Sequence, residues 1–166
     1  MKYFVFAVTV LLFLISCKES KKTEAPIANK SDQIVEYGPE VPGITEEVMI
    51  NLLNHCTYID YIFKDLPFSV SQGEDPSIDQ NIRFIDITKP VGRIPKHCKP
   101  IARKFFQING EIVYDADLYF SKDCTFYVFV DKQNKPLFAN YLTTAGIDFY
   151  NKVFQQASNA SKNLGQ

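Results

Sequence analysis

The sequence has no glycine-rich loop to cradle a phosphate, no G-x-S-x-G elbow, no H-E-x-x-H helix and no histidine beside paired carboxylates. Those absences speak against the commonest nucleotide, serine-hydrolase and zinc-peptidase chemistries, and no cofactor motif takes their place. No internal repeat is present. Neither sign of charge predominates, with 18 basic against 19 acidic side chains, which argues against a general nucleic-acid binder. No apolar run reaches the roughly 20 residues that cross a bilayer. The longest, Tyr3 to Ile15, soon meets Lys18, Glu19, Lys21 and Lys22.

That run is nonetheless informative. Lys2, an apolar stretch interrupted only by Thr9, and then Ser16 and Cys17 follow the order of a secretory signal: charged, apolar, small. Leu14, Ile15, Ser16 and Cys17 together resemble the lipobox of bacterial lipoproteins. The resemblance implies removal of residues 1–16, a diacylglycerol on the Cys17 thiol and acylation of the new amino group. Two or three chains make a stable anchor, each buried CH₂ contributing about 0.8 kcal/mol. Lys18 stands where an aspartate would resemble the inner-membrane retention signal, so the resemblance favours the outer membrane, on its periplasmic or surface face.

Residues 17–43 are polar and broken by Pro26, Pro39 and Pro42, and read as a lipidated cysteine followed by a flexible tether reaching roughly 25–30 Å. A single α+β domain is expected over 44–158 and a disordered tail over 159–166. A chain of this length can bury about two thirds of its surface, so neither metal nor disulfide is required for folding.

Thr45 is a natural N-cap, with Glu46 and Glu47 in the first turn, and Met49, Leu52, Cys56, Ile59, Phe63 and Leu66 recur at helical steps until Pro67. A polar loop over Gly73 to Asp79 then leads to a strand, Ile82 to Thr88. Pro90, Pro95 and Pro100 predict an extended loop without a continuous ladder. Asn109-Gly110 predicts a type I′ hairpin whose register sets Ile108 opposite Glu111, Phe105 opposite Tyr114, Lys104 opposite Asp115 and Ile101 opposite Leu118. Strands from Cys124 to Asp131 and Pro136 to Leu142 follow, and Thr143 or Thr144 caps a last helix to about Ala157. The expected fold is an antiparallel sheet of about five strands, covered in part on both faces, flanked by an N-terminal and a C-terminal helix.

Besides Cys17 there are Cys56, Cys98 and Cys124, in a compartment where disulfides persist. Cys98 and Cys124 bracket the hairpin and are the first candidates for a bridge. A flat sheet would hold them roughly 9.5 Å apart, beyond the approximately 7 Å limit, so the bridge requires Lys96 to Lys99 to curl over the sheet end. Cys56, on the apolar stripe, reads as a buried small hydrophobe. His55-Cys56 and His97-Cys98 invite a metal, but neighbours on a helix or strand diverge, and no metal site is expected.

From Ile87 to Gly110 acidic residues are absent, while Lys89, Arg93, Lys96, Lys99, Arg103 and Lys104 are basic. Such a segment could present Lys89, Arg93, Lys96, Lys99 and Arg103 to an anionic partner, against the simpler outcome of pairing with the protein's own acids. The expected function is a lipid-anchored envelope binding or accessory protein without catalytic activity, contacting a protein, glycan or anionic partner. Two alternatives stand beside it. One is a hydrolase using Glu111, Asp115 and Asp117; the other is a carrier of an apolar ligand lined by Phe105, Tyr114, Phe126 and Phe129.

Overall fold

A computed structural model describes residues 35–164, with side chains to residue 160; the Cys17 motif, the signal segment, most of the expected tether and the last two residues lie outside the described residues. Strands β1 (Tyr37–Val41), β2 (Tyr58–Phe63), β3 (Ser69–Gln72), β4 (Ile85–Pro90), β5 (Gly92–Pro95), β6 (Pro100–Ile108), β7 (Glu111–Ser121), β8 (Cys124–Val130) and β9 (Pro136–Leu142) are interspersed with helices α1 (Glu46–His55), α2 (Asp75–Ile82) and α3 (Thr144–Leu164). The fold is α+β. Its main sheet has seven antiparallel strands rather than about five, in the order β3-β2-β6-β7-β8-β9-β4, and β1 pairs with β5 as a separate ribbon. Among the described residues no helix is long and apolar enough to cross a membrane.

Helix α1 starts as its sequence demands, Thr45 Oγ1 accepting from the Val48 N–H at 3.3 Å, but ends at Cys56 instead of running to Leu66. Ile59 and Phe63 are four residues apart, which is both a helical step and an even number. Tyr61 breaks the tie: Ile59, Tyr61 and Phe63 are all buried, so period two wins and the segment becomes β2, beside β6. The stretch expected as a polar loop instead contains α2, which has Pro76 in its first turn and turns Ile78, Asn81 and Ile82 inward. The following strand therefore starts at Ile85, not Ile82. The C-terminal helix continues to Leu164, through most of the residues expected as a disordered tail.

Two further departures come from long-range pairing. Part of the expected tether, Tyr37–Val41, is a strand, and the proline-rich segment supplies its partner, with Val41 opposite Gly92 and Tyr37 opposite Pro95. Prolines are tolerated because Pro90 and Pro95 close their strands, and Gly92 takes the positive φ of 74° at the centre of a tight turn closed by the Arg93 N–H and the Val91 carbonyl (2.9 Å). The ribbon lays Val41 and Ile94 over Phe126, Val128 and Ala139. The opposite sheet face carries the larger core, where Met49 and Leu52 of α1, Ile82 of α2 and Tyr150 of α3 meet Ile59, Phe106, Leu118 and Phe129. Strand β8 is thus buried on both faces, as its unbroken aromatic and β-branched run implies.

The hairpin forms at Asn109 (φ 53°) and Gly110 (φ 87°), with Ile108 opposite Glu111. Beyond the turn the expected register fails by one residue. Gln107 faces Ile112 but Phe106 faces Tyr114, so Val113 is an extra residue, and Lys104 lies opposite Ala116 while Arg103 faces Asp117. The bulge aligns the buried set of β6 (Ala102, Lys104, Phe106) with that of β7 (Ala116, Leu118). In the uninterrupted register those residues would have shared a face with Asp115 and Asp117.

Asn140, fully buried in β9, joins three segments. Its Oδ1 accepts from the Ile44 N–H at 2.6 Å and its Nδ2 donates to the Asp86 carbonyl at 2.9 Å. Asn140→Ala leaves both backbone groups without a partner, each costing about 1–3 kcal/mol when buried, so urea unfolding should show a loss of about 2–4 kcal/mol at unchanged m-value.

Candidate functional site

An apolar cleft of about 580 Å³ opens where α3 crosses the ends of β2, β6 and β7. Phe63, Leu66, Ile101 and Phe120 line it from the sheet side, and Ile147 and Phe154 from the helix. Ile147, Asn151 and Phe154 sit at steps of four and three, so one stripe of α3 borders the cleft while the neighbouring stripe, with Tyr150, fills the core. The Phe154 ring stacks on Phe120 (5.6 Å, 21°) and meets Phe63 edge-on (5.7 Å, 82°), making a wall of interlocked rings. Exposed Asp65, Lys122 and Asn151 ring the mouth. The size and the apolar floor with a few polar groups at the rim fit a small-molecule site, which typically spans roughly 300–1,000 Å³.

A second unusual centre is Lys104, wholly buried in the larger core. Its Nζ donates to the Asn81 carbonyl at 3.1 Å and to Tyr127 Oη at 3.4 Å, beneath the rings of Phe106 (4.6 Å), Tyr127 (4.9 Å) and Tyr61 (5.0 Å). The Tyr127 and Tyr150 hydroxyls are 2.5 Å apart. Burial without an anion pushes the amine well below the usual lysine range. Burial likewise raises both hydroxyls, and it raises the nearby thiol of Cys56, which is free and buried as its place on the apolar stripe predicts.

The five cations expected to face an anionic partner are not gathered for that task. Arg103 lies between Asp115 (3.0 Å) and Asp117 (3.1 Å) and also donates to Asn134 Oδ1; Lys96 pairs with Glu36 at 3.0 Å and Lys89 with Asp86 at 3.1 Å. Asp86 is held below the usual carboxylate range first by the Thr88 hydroxyl and then by Lys89. Of these five, only Arg93 and Lys99 are exposed without an ion pair among the described residues. The same guanidinium occupies two of the three acids considered for hydrolysis, and Glu111 sits exposed at the hairpin turn.

The aromatic residues expected to line a carrier pocket do not line the cleft. Phe126 is under the ribbon, Tyr114 meets Phe129 edge-on in the helix-side core, and half-buried Phe105 shares the opposite face with Arg103. The residues that do line it carried a weak signal, namely aromatics at element ends (Phe63, Phe120) and a second apolar stripe on the last helix (Ile147, Phe154). Cys98 and Cys124 are disulfide-bonded with Cα atoms 5.9 Å apart, because the chain turns between Pro95 and Cys98 (Cys98 N–H to Pro95 carbonyl, 3.1 Å) and folds over the sheet end. Comparison with known proteins finds no family model, no curated protein and no solved structure that matches this chain.

Proposed function

We propose that the protein is a non-catalytic binding protein of the bacterial envelope, anchored by lipid at Cys17 on the outer membrane, that takes an amphiphilic small molecule into the cleft between α3 and the sheet. One observation carries the reading: an open apolar hollow walled by the interlocked rings of Phe63, Phe120 and Phe154. Its six apolar lining residues offer nothing for a polar body, so the occupant is an aliphatic chain. Lys122 and Asn151 at the rim supply a cation and an amide for an acidic head. The basic segment supports an anionic macromolecular partner less well, since Arg103, Lys96 and Lys89 are already neutralised at home.

Titration of the chain carrying Cys17→Ser with a dansyl-labelled medium-chain fatty acid tests this. Saturable one-to-one binding is expected; Ser121, exposed at the end of β7, also lines the cleft, and Ser121→Trp should block it and weaken binding at least about tenfold, or about 1.4 kcal/mol, without moving the thermal midpoint. Lys122→Glu should weaken the acid but not the corresponding alcohol. Absence of saturable binding by the folded chain, or binding indifferent to Ser121→Trp, removes the proposal.

A further inference from the structure

The corner where the ribbon meets the sheet holds three soft donors. His97 Nε2 lies 3.8 Å from Cys98 Sγ, and with Cys124 Sγ the three atoms fall within 4.8 Å of one another. Sequence reasoning discounts His97-Cys98 as a ligand pair because neighbours on a helix or strand diverge. Here the pair lies in the turn after Pro95, and both side chains reach the same point. Tetrahedral zinc, with bonds of about 2.3 Å to sulfur and 2.0 Å to nitrogen, sets its ligands roughly 3.5 Å apart. The His97–Cys98 separation is therefore near that of a metal-bound pair, and only the two sulfurs need to part.

We infer that reduction of the Cys98–Cys124 bridge converts this corner into a Cys₂His site for a thiophilic divalent cation of the zinc type. A dithiol reductant breaks the S–S bond, its own two thiols becoming a disulfide while Cys98 and Cys124 each gain a hydrogen. The cation then displaces two protons and binds two thiolates and the neutral Nε2, leaving one position for water. Two thiolates neutralise a divalent charge, which suits two cysteines that are 6 % and 2 % exposed among Val41, Phe126 and Val128. A monovalent cation would leave a net negative charge there. His97 is exposed and gives the cation a way in. The disulfide and the metal are thus alternative clamps on the same corner, selected by the redox state of the surroundings.

The test uses the full chain with Cys17→Ser and Cys56→Ala, so that its only thiols are those of the bridge. After phosphine reduction, Co²⁺ should bind one-to-one with thiolate charge-transfer and tetrahedral d–d absorption, Zn²⁺ should displace it, and either ion should raise the thermal midpoint of the reduced chain. The unreduced chain should show none of this. His97→Ala should weaken Co²⁺ binding by more than the roughly 10–100-fold typical of losing a ligand's supporting partner. Equal Co²⁺ affinity with and without His97, equal binding by the oxidised chain, or a reduced chain that stays unfolded when Zn²⁺ is added would each overturn the proposal.

Discussion

Replacing Lys104 with methionine is expected to make the protein more stable at neutral pH and to remove most of the loss of stability that acidification below about pH 10 brings. The ammonium would have to sit fully buried with two neutral acceptors and no carboxylate partner among the described residues. Three rings within 5.0 Å would attract a cation, an effect of about 2 kcal/mol or more when desolvated. Burying an unpaired ion costs several kcal/mol even after relaxation, so desolvation wins and the fold holds the amine well below the usual lysine range.

The sign of the pH effect follows. The unfolded lysine keeps its proton up to a pKa near 10.4, so below that value unfolding takes up a proton that the folded chain does not hold. Stability therefore falls by about 1.4 kcal/mol for each pH unit of acidification, until the folded-state pKa is reached and the loss levels off. Methionine fills the same channel without a titrating group. The Asn81 carbonyl and Tyr127 lose one donor, about 1 kcal/mol, but Tyr127 keeps its bond to Tyr150. Urea unfolding of parent and variant at several pH values decides the matter: parallel profiles would mean that Lys104 is charged in the fold.

Removing the Cys98–Cys124 bridge in a Cys98→Ser, Cys124→Ser variant should cost nearly as much in the other direction. The two cysteines are 26 residues apart, and closing a loop of that size corresponds to about 3.5 kcal/mol on the chain-entropy account. For a folded unit of this size such a loss lowers the thermal midpoint by about 10 °C. Its local signature should be as clear as the global one. Without the bridge, the ribbon is held by short β1–β5 pairing, by backbone bonds such as Ala139 N–H to the Pro42 carbonyl (2.8 Å) and by a small apolar contact area. Hydrogen exchange at Lys96 and Val91 should accelerate more than at β8. A loss under 1 kcal/mol, or uniform exchange across both layers, would show that the ribbon holds itself.

What could be read from the sequence was mainly local. The Asn109-Gly110 turn, the strands on either side of Lys122-Asp123, the Thr45 cap and the disulfide all follow from neighbouring residues or from one geometric requirement. Where the chain was misread, local rules gave two answers. Ile59 and Phe63 satisfy helix and strand alike, and only pairing with β6 decides between them. The β1–β5 ribbon joins segments some 50 residues apart, and nothing within Tyr37–Val41 announces its partner. The candidate site was legible only as aromatic abundance. Which rings stay in a wall and which fill the core depends on where α3 crosses the sheet, and on the close approach that Gly146 permits, since a Cβ there would lie 2.8 Å from that of Phe84.

The extra residue in β7 has a consequence for how this hairpin can vary. Arg103 and Lys104 are adjacent cations with opposite fates, one bound by two aspartates at the surface and the other sealed among rings, and a single inserted residue assigns them. Between the turn and Tyr114, adding or deleting one residue would undo the match, either bringing Asp115 toward the core beside Lys104 or sending the guanidinium inward with Ala116. A change of two would restore the alternation. The hairpin therefore tolerates changes in length by parity and not by size: the smallest edit, a single residue, is the most disruptive one.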